Sequence, residues 1–447
     1  MEETRVVVIG GDAAGMSAAS RVRKRLPHSS VVVYEAGNYV SYSACGMPFH
    51  IGGIVKDFNS LLHYTVDKFE KERDIEIRLN SRVISIDTAR HAVVFQNSRG
   101  EGNDNYDRLI IATGAKPRIP EKLHDVKGLH TLRTLNDLPR LESSAEKASH
   151  VTIVGAGYIG LELAEAFRLK GKDVRIIQRS ENILRGYDTV LSEKVTAEVM
   201  ANGVTIDFGT EVESAAENGN GFHVLTSSGE KFDTGMLVVA TGVGPNSELA
   251  AGAGIRLGVS GAIQVDEYMR TSAEDVFAAG DAATTFNRIT GRSIYMPLAT
   301  GSNRSGRVAG ENAAGGHVRY TGITGTEVVK VFSLEAGRTG IGEKEAVQAG
   351  FTPVSALITS TSRSSYYPGS TPLSVKLTAD RQTRRLLGGA IIGNEGVAKR
   401  IDVVAAALAA SMTADEMTGI DYSYSPPFGP AWEPLGVAAD VLAGKLG

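Results

Sequence analysis

The chain opens on Arg5-Val6-Val7-Val8-Ile9, an unbroken β-branched run of the kind that forms a parallel strand buried on both faces. Gly10-Gly11-Asp12-Ala13-Ala14-Gly15 follows as a turn. Met16, Ala19, Val22 and Leu26 then recur at the spacing of one helix face, and Pro27 stops the helix. Val31-Val32-Val33-Tyr34 is a second strand; it ends in Glu35 and completes a strand-helix-strand unit. The pattern returns with Val151-Thr152-Ile153-Val154, the turn Gly155-Ala156-Gly157-Tyr158-Ile159-Gly160, a helix through Leu161, Leu163, Ala164 and Phe167, and the strand Val174-Arg175-Ile176-Ile177. Each unit is followed by an apolar strand ending in Ala-Thr-Gly, at Ala112-Thr113-Gly114 and again at Ala240-Thr241-Gly242.

From about residue 325 the glycine turns give way to shorter alternating strands such as 373–377, a helical stretch over 399–410 and a proline-rich tail, Pro426 to Pro434. The expected architecture is α/β: two dinucleotide-binding, Rossmann-like domains and a differently built C-terminal α+β domain. The expected divisions are 1–115 with 245–322, 116–244, and 323–447.

A glycine-rich turn between strand and helix lets backbone N–H groups and the helix N-terminus meet a pyrophosphate, and an acidic residue some 20 positions on holds the adenosine ribose. Gly155, Gly157 and Gly160 match that turn in full; the first turn keeps Gly10 and Gly15 but has Asp12 in the middle. The alternative is a tight packing turn that binds nothing. Glu35 suits an unphosphorylated ribose, as in FAD. The corresponding Gln178-Arg179-Ser180 lacks the carboxylate and adds a cation, which favours the 2′-phosphate of NADPH. In the alternative, Arg179 is simply exposed and Gln178 serves NADH.

Composition narrows the class. Charged residues are 22 % and hydrophobic residues 42 %, ordinary for a globular protein and unlike a disordered one. The net charge of -4 gives no basic footprint for nucleic acid. No apolar run is long enough to span a bilayer, and the chain enters a strand at once, so a cytoplasmic location without membrane attachment is expected. A lone cysteine, Cys45, fits a reducing compartment and forms no intramolecular disulfide. It is either an inert packed thiol or a redox group, activated if a helix N-terminus or a nearby cation lowers its pKa. Among nine histidines there is no metal-ligand spacing, so no metal site is expected; His50 and His63 lie near Cys45 in sequence.

Several of these segments occur together in one known family. The first turn, residues 41–49 around Cys45, the second turn, Val276-Phe277-Ala278-Ala279-Gly280-Asp281, Tyr366-Tyr367-Pro368-Gly369 and Tyr424-Ser425-Pro426-Pro427-Phe428 together resemble the single-cysteine branch of the FAD-dependent pyridine nucleotide-disulfide oxidoreductases, nearly end to end and in order. Within it the chain is most similar to the coenzyme A disulfide reductase group, including sulfur-reducing relatives.

The resemblance implies a glutathione-reductase-like fold and a homodimer. It implies FAD held by Gly10, Gly11, Ala14, Gly15, Glu35, Val83, Thr113, Gly114, Asp281 and Ala299. NADPH, with NADH as the alternative, falls to Gly155, Gly157, Tyr158, Ile159, Gly160, Gln178, Arg179, Ser180 and Gly242. Cys45 becomes the redox centre, cycling through a mixed disulfide with coenzyme A, while Tyr366 and Tyr424 reach the partner subunit's site. Substrate contacts fall on Ser17, Arg21, Lys24, Ser41, Arg73, Asn303 and Trp432.

Two positions depart from the group: Ala44 replaces an asparagine, and Asn303 stands where at least one member has histidine. Asp12 occupies the place of a histidine found in related NADH oxidases and peroxidases, which argues against a dedicated peroxidase. The basic run Arg21, Arg23, Lys24, Arg25 reads either as a phosphate contact or as a solvated face. The expected reaction is reduction of a low-molecular-weight disulfide. Polysulfide or coenzyme A persulfide reduction and an NAD(P)H oxidase are rivals at the same site, and an electron-transfer flavoprotein docking a protein partner is a rival of another class. With no rhodanese-type domain after residue 447, a stand-alone rather than a fused persulfide reductase is the form expected.

Overall fold

A computed structural model describes residues 4–447. Its first sheet is fully parallel, in the order Val276–Ala278, Arg108–Ile111, Arg5–Ile9, Ser30–Tyr34, Glu76–Arg78. Val6, Val7 and Val8 are completely buried, as helices on both faces of a parallel sheet require. The strand Val276–Ala278 enters this sheet only after the second nucleotide unit has been built. The helix Ala299–Ala313, close behind it in the chain, packs along the first helix, Ala13–Arg25, and runs parallel to it. The approach is backbone to backbone: a Cβ at Gly306 would collide with the carbonyl of Ala14, and one at Gly310 with that of Ala18.

The second parallel sheet has the order Val204–Asp207, Asp173–Ile177, His150–Val154, Met236–Val239. A two-stranded antiparallel pair, Ala115–Pro117 with Val243–Pro245, carries the chain out to this unit and back. Glu165, buried on the second unit's glycine-turn helix, accepts from Phe332 N–H at 2.7 Å and pairs with Lys330, tying the unit to the hairpin of the third sheet.

That third sheet is antiparallel, in the order Glu327–Val331, Leu334–Gly340, Leu386–Gly393, Pro372–Asp380, Pro353–Thr361. The expected alternating strand over 373–377 is longer, Pro372–Asp380, and its polar side chains are not solvent-facing: Ser374, Thr378 and Asp380 are all buried. Neighbouring side chains satisfy them, Thr378 with Ser355 at 2.8 Å and Ser374 with Thr359 at 3.3 Å. The proline-rich tail ends in a helix that its prolines mask, Pro434–Leu446, with Pro434 at the first position, where a missing N–H costs nothing. Among the described residues no helix is long and apolar enough to cross a membrane, and no cluster of three or more His, Cys, Asp or Glu could hold a metal.

Candidate active site

The two glycine turns are built alike. Gly10 and Gly155 adopt φ of +108° and +106°, open only to glycine, and donate to the carbonyls of Tyr34 and Ile177 at 2.8 and 2.9 Å. Gly15 and Gly160 leave no room for a Cβ, which would run into the carbonyls of Gly10 and Gly155. Glu35 Oε2 accepts from Gly11 N–H at 2.8 Å, and Gln178 Oε1 accepts from Ala156 N–H at 2.9 Å. Each second strand thus delivers its polar terminus to the same point of its turn. A Cβ at Gly157 or at Gly242 would meet nothing within 4 Å, so the second site presents open backbone. Gln178 Nε2 donates to Ser180 Oγ at 2.5 Å and to Asn182 O at 2.9 Å, while Arg179 is exposed and lies 3.5 Å from Glu211.

The cysteine loop is fastened to the first turn. Ser41, at φ 51°, donates its N–H to Gly11 O at 2.9 Å; Tyr42 N–H reaches Asp12 Oδ1 at 3.3 Å; Ser43 N–H reaches Leu61 O at 2.7 Å. Ser43 Oγ meets His63 Nε2 at 2.8 Å, so His63 does come to the loop. His50 does not: its Nδ1 is bound to Val55 O at 2.7 Å and its Nε2 faces Glu142 at 3.4 Å.

Cys45 is exposed in a single helical turn, Ala44–Gly46. Its thiol pKa is raised, not lowered: desolvation by the surrounding protein is the first cause, Glu162 the second, and Asp281 and Asp12 add to them, while Arg133 opposes. Asp12 is itself pushed up to about 6 by burial, against the Tyr42 N–H and Arg133, which lower it. Glu162, on the helix of the second turn, is pushed up to about 7 by burial and by Glu165.

Asp281 accepts from Ser302 Oγ at 2.6 Å and from Arg133 Nη2 at 2.8 Å, and Arg133 Nε also reaches Ala115 O at 3.1 Å. Arg133 and Glu162 are the charges that the sequence reading missed. Arg133 lies between motifs and carries no local signal, and Glu162 is one of two carboxylates, with Glu165, on the second glycine-turn helix. Of the remaining expected cofactor contacts, Thr113 Oγ1 is bound to Asn246 O at 2.6 Å, Val83 is buried in the first core and Ala299 opens its helix.

The expected substrate residues divide. Ser17 Oγ donates to Asn303 Oδ1 at 2.8 Å across the paired helices, and Arg73 Nη1 donates to Ser20 Oγ at 2.8 Å. Lys24 is exposed, but Arg21 is already paired with Glu311, so it is not the freely solvated cation the basic run suggested. Tyr366, Tyr424, Phe428 and Trp432 stand 74, 52, 81 and 82 % exposed. Their loops are braced from below by Arg400, which bonds Glu433 at 2.6 Å and Ser362 O at 3.1 Å. A hydrogen bond to Tyr424 raises the Tyr366 hydroxyl pKa.

Residues 4–306 match the model of the pyridine nucleotide-disulphide oxidoreductases, and residues 326–435 match that family's dimerisation domain. The chain belongs to this family. It is 40 % identical over 446 residues to the NAD(P)H coenzyme A polysulfide/persulfide reductase of Pyrococcus horikoshii, with 98 % of each chain covered. It is 30 % identical over 429 residues to the coenzyme A disulfide reductase of Staphylococcus aureus, covering 95 % of this chain and 96 % of that one. Among solved structures, an engineered water-forming NADPH oxidase bound to NADPH matches with a TM-score of 0.95 at 27 % identity, covering 99 % of both chains; its changes include Asp, Ala and Met replaced in succession by Ala, Arg and Ser.

Like other members of this family, the chain is an FAD-dependent oxidoreductase that uses a nicotinamide dinucleotide. Its residues fit both groups. The turn at Gly10 offers backbone N–H donors beside the Glu35 carboxylate, and the turn at Gly155 offers open backbone beside Arg179.

Proposed function

We propose that this oxidoreductase splits coenzyme A disulfide with electrons from NADPH. The observation that carries the reading is the single thiol of the chain, held by Ser41 and Tyr42 against the first dinucleotide turn. With no second cysteine, reduction of a disulfide must pass through a bond between Cys45 and the substrate. The Cys45 thiolate attacks one substrate sulfur; a Cys45–coenzyme A disulfide forms, the original S–S bond breaks, and one coenzyme A leaves as a thiolate that takes up a proton. FAD, when bound, relays two electrons from the nicotinamide. Those electrons cleave the mixed disulfide and return Cys45 as thiolate and the second coenzyme A as thiol. Arg133 is a nearby charge that favours the thiolate, and it is aimed by Asp281 and the Ala115 carbonyl.

NADPH rather than NADH is supported by Gln178-Arg179-Ser180, which supplies no carboxylate against a 2′-phosphate, and by the same Arg-Ser pair in the engineered NADPH-bound relative. Arg179 can turn to a phosphate, because its partner Glu211 sits at 3.5 Å on an exposed surface. The 40 % identical relative favours a second reading, polysulfide or coenzyme A persulfide as oxidant at the same thiol. We read the divisions 1–115 with 245–322, 116–244 and 323–447 as FAD, nicotinamide and dimerisation domains. The exposed aromatic group Tyr366, Tyr424, Phe428 and Trp432 then meets a second copy in a homodimer, and the location is cytoplasmic.

Intact-mass analysis under non-reducing conditions tests the reading. After incubation with coenzyme A disulfide, wild type should carry one coenzyme A per chain, removable by NADPH, and Cys45→Ser none. A wild type that never acquires the adduct refutes it.

A further inference from the structure

We propose that Arg400 is a positioning residue for the reaction: by joining two loops of the C-terminal domain it sets the pair Tyr366 and Tyr424 that those loops carry toward the partner subunit's site. This rests on the reading of the two tyrosines as reaching a second copy, and it names what holds them in place.

Packing within the chain does not place these side chains. Tyr366 lies in the loop between the strands Pro353–Thr361 and Pro372–Asp380, and Tyr424, Phe428 and Trp432 lie in the loop between the last two helices. All four are mostly exposed, so burial within their own chain does little to fix them and their positions follow from how the loop backbones are anchored. The loops are tied to each other. Ser364 donates its N–H to Pro426 O at 3.2 Å and its Oγ–H to Gly429 O at 3.3 Å, and the hydroxyls of Tyr366 and Tyr424 are hydrogen-bonded.

Arg400 reaches both loops from beneath. It stands on the helix Val397–Ala409 and is only 9 % exposed. Its Nε donates to Glu433 Oε1 at 2.6 Å, and its Nη2 faces Glu433 Oε2 at 3.1 Å, Ser362 O at 3.1 Å and Phe428 O at 3.4 Å. Glu433 in turn caps the last helix, where its carbonyl accepts from Val437 N–H at 3.1 Å. One guanidinium therefore fixes three backbone segments that are far apart in sequence. The local chain makes room for it: Gly396 has φ +72°, and a Cβ there would collide with Arg400 Nη1. On the near side Ser362 Oγ and Arg363 Nε both bond Glu395, at 2.6 and 2.7 Å. A buried ion pair adds little stability over a well-packed apolar pair. What this one adds is geometry, because the planar fork of arginine holds several acceptors at set angles and the single ammonium of lysine does not.

The test uses the FAD-loaded enzyme, wild type beside Arg400→Lys and beside the double change Arg400→Met with Glu433→Leu, which removes both buried charges and so spares the fold. Each is made with and without Tyr366→Phe. Light scattering gives the mass, stopped flow gives the rate at which NADPH bleaches the flavin, and steady-state assays give turnover of coenzyme A disulfide. Fluorescence anisotropy follows Trp432, the chain's single tryptophan. Mass and bleaching should stay as in wild type, while disulfide turnover falls about tenfold to a hundredfold in the double variant, the scale of a misplacement of about 1 Å, and less in Arg400→Lys. Tyr366→Phe should slow wild type and add little to the double variant, because Arg400 acts through that tyrosine. Trp432 anisotropy should fall. Full disulfide turnover in the double variant overturns the proposal, as do additive losses or a Tyr366→Phe change that costs wild type nothing. A loss accompanied by altered mass or slower bleaching overturns it too, since Arg400 would then serve the fold or the interface. Should wild type not turn over the disulfide, the functional reading fails, and Trp432 decides alone: lowered anisotropy supports the role of Arg400, unchanged anisotropy removes it.

Discussion

The two glycine turns share a backbone and differ in a handful of side chains. Gly10 and Gly155, Gly15 and Gly160, and the bonds from Gly11 N–H to Glu35 and from Ala156 N–H to Gln178 correspond one to one. The first site then adds two acids, Glu35 and Asp12, where the second has Gln178 and Gly157, and the second adds Arg179. Backbone sterics build the cradle; charge at its rim decides which dinucleotide it takes. Asp12 has a further consequence, because it points to the cysteine loop, whereas Gly157 faces open space.

The harshest way to break the correspondence is to fill the shared glycine. Gly160→Ala pushes a methyl into the Gly155 carbonyl and should cost about 3 kcal/mol in chemical denaturation. It should also abolish NADPH bleaching of a flavin that remains bound; Gly15→Ala should instead lose the flavin.

Exchanging the rim should be gentler. Gln178→Glu with Arg179→Ala is expected to move the kcat/KM ratio from NADPH toward NADH by about tenfold to a hundredfold, the scale of one charge-assisted contact. An unchanged ratio in steady-state assays would remove Arg179 from the site.

The equivalence was legible because it is local: a strand, a glycine turn and a helix lie within one stretch of chain, and the repeat declares itself. Cys45 stood out for the same reason, as the lone thiol next to that stretch. What surrounds Cys45 was not legible. Arg133 arrives from between the two units, Glu162 from the second glycine-turn helix, and Asp281 from the strand end that joins the first sheet late. Their convergence is a property of the crossings between units; burial and the three acids raise the thiol pKa, and Arg133 works against them. Likewise Pro372–Asp380 reads as half-exposed by alternation, yet Ser374 and Thr378 are buried and paired within the sheet.

Asp12→Asn makes the first turn more like the second in charge. The carboxyl is raised from 3.8 to about 6, so the native state holds its proton more tightly than the unfolded chain does, and stability falls as pH rises through that window. In Asp12→Asn this fall, up to about 3 kcal/mol in denaturation midpoints compared between acid and neutral pH, should disappear. Because the Asp12 charge also raises the Cys45 pKa, alkylation of the thiol at pH above 6 should become a few-fold faster. Glu162→Gln should act in the same direction, with its effect appearing above pH 7, where that carboxyl is charged.

The account stands most directly on anaerobic NADPH consumption with coenzyme A disulfide, wild type beside Cys45→Ser. It predicts turnover in wild type that falls more than about a hundredfold in the variant, with the flavin still bleached by NADPH in both. Equal turnover by both proteins would contradict it and make Cys45 a bystander, as in a flavoprotein that hands electrons to a protein partner.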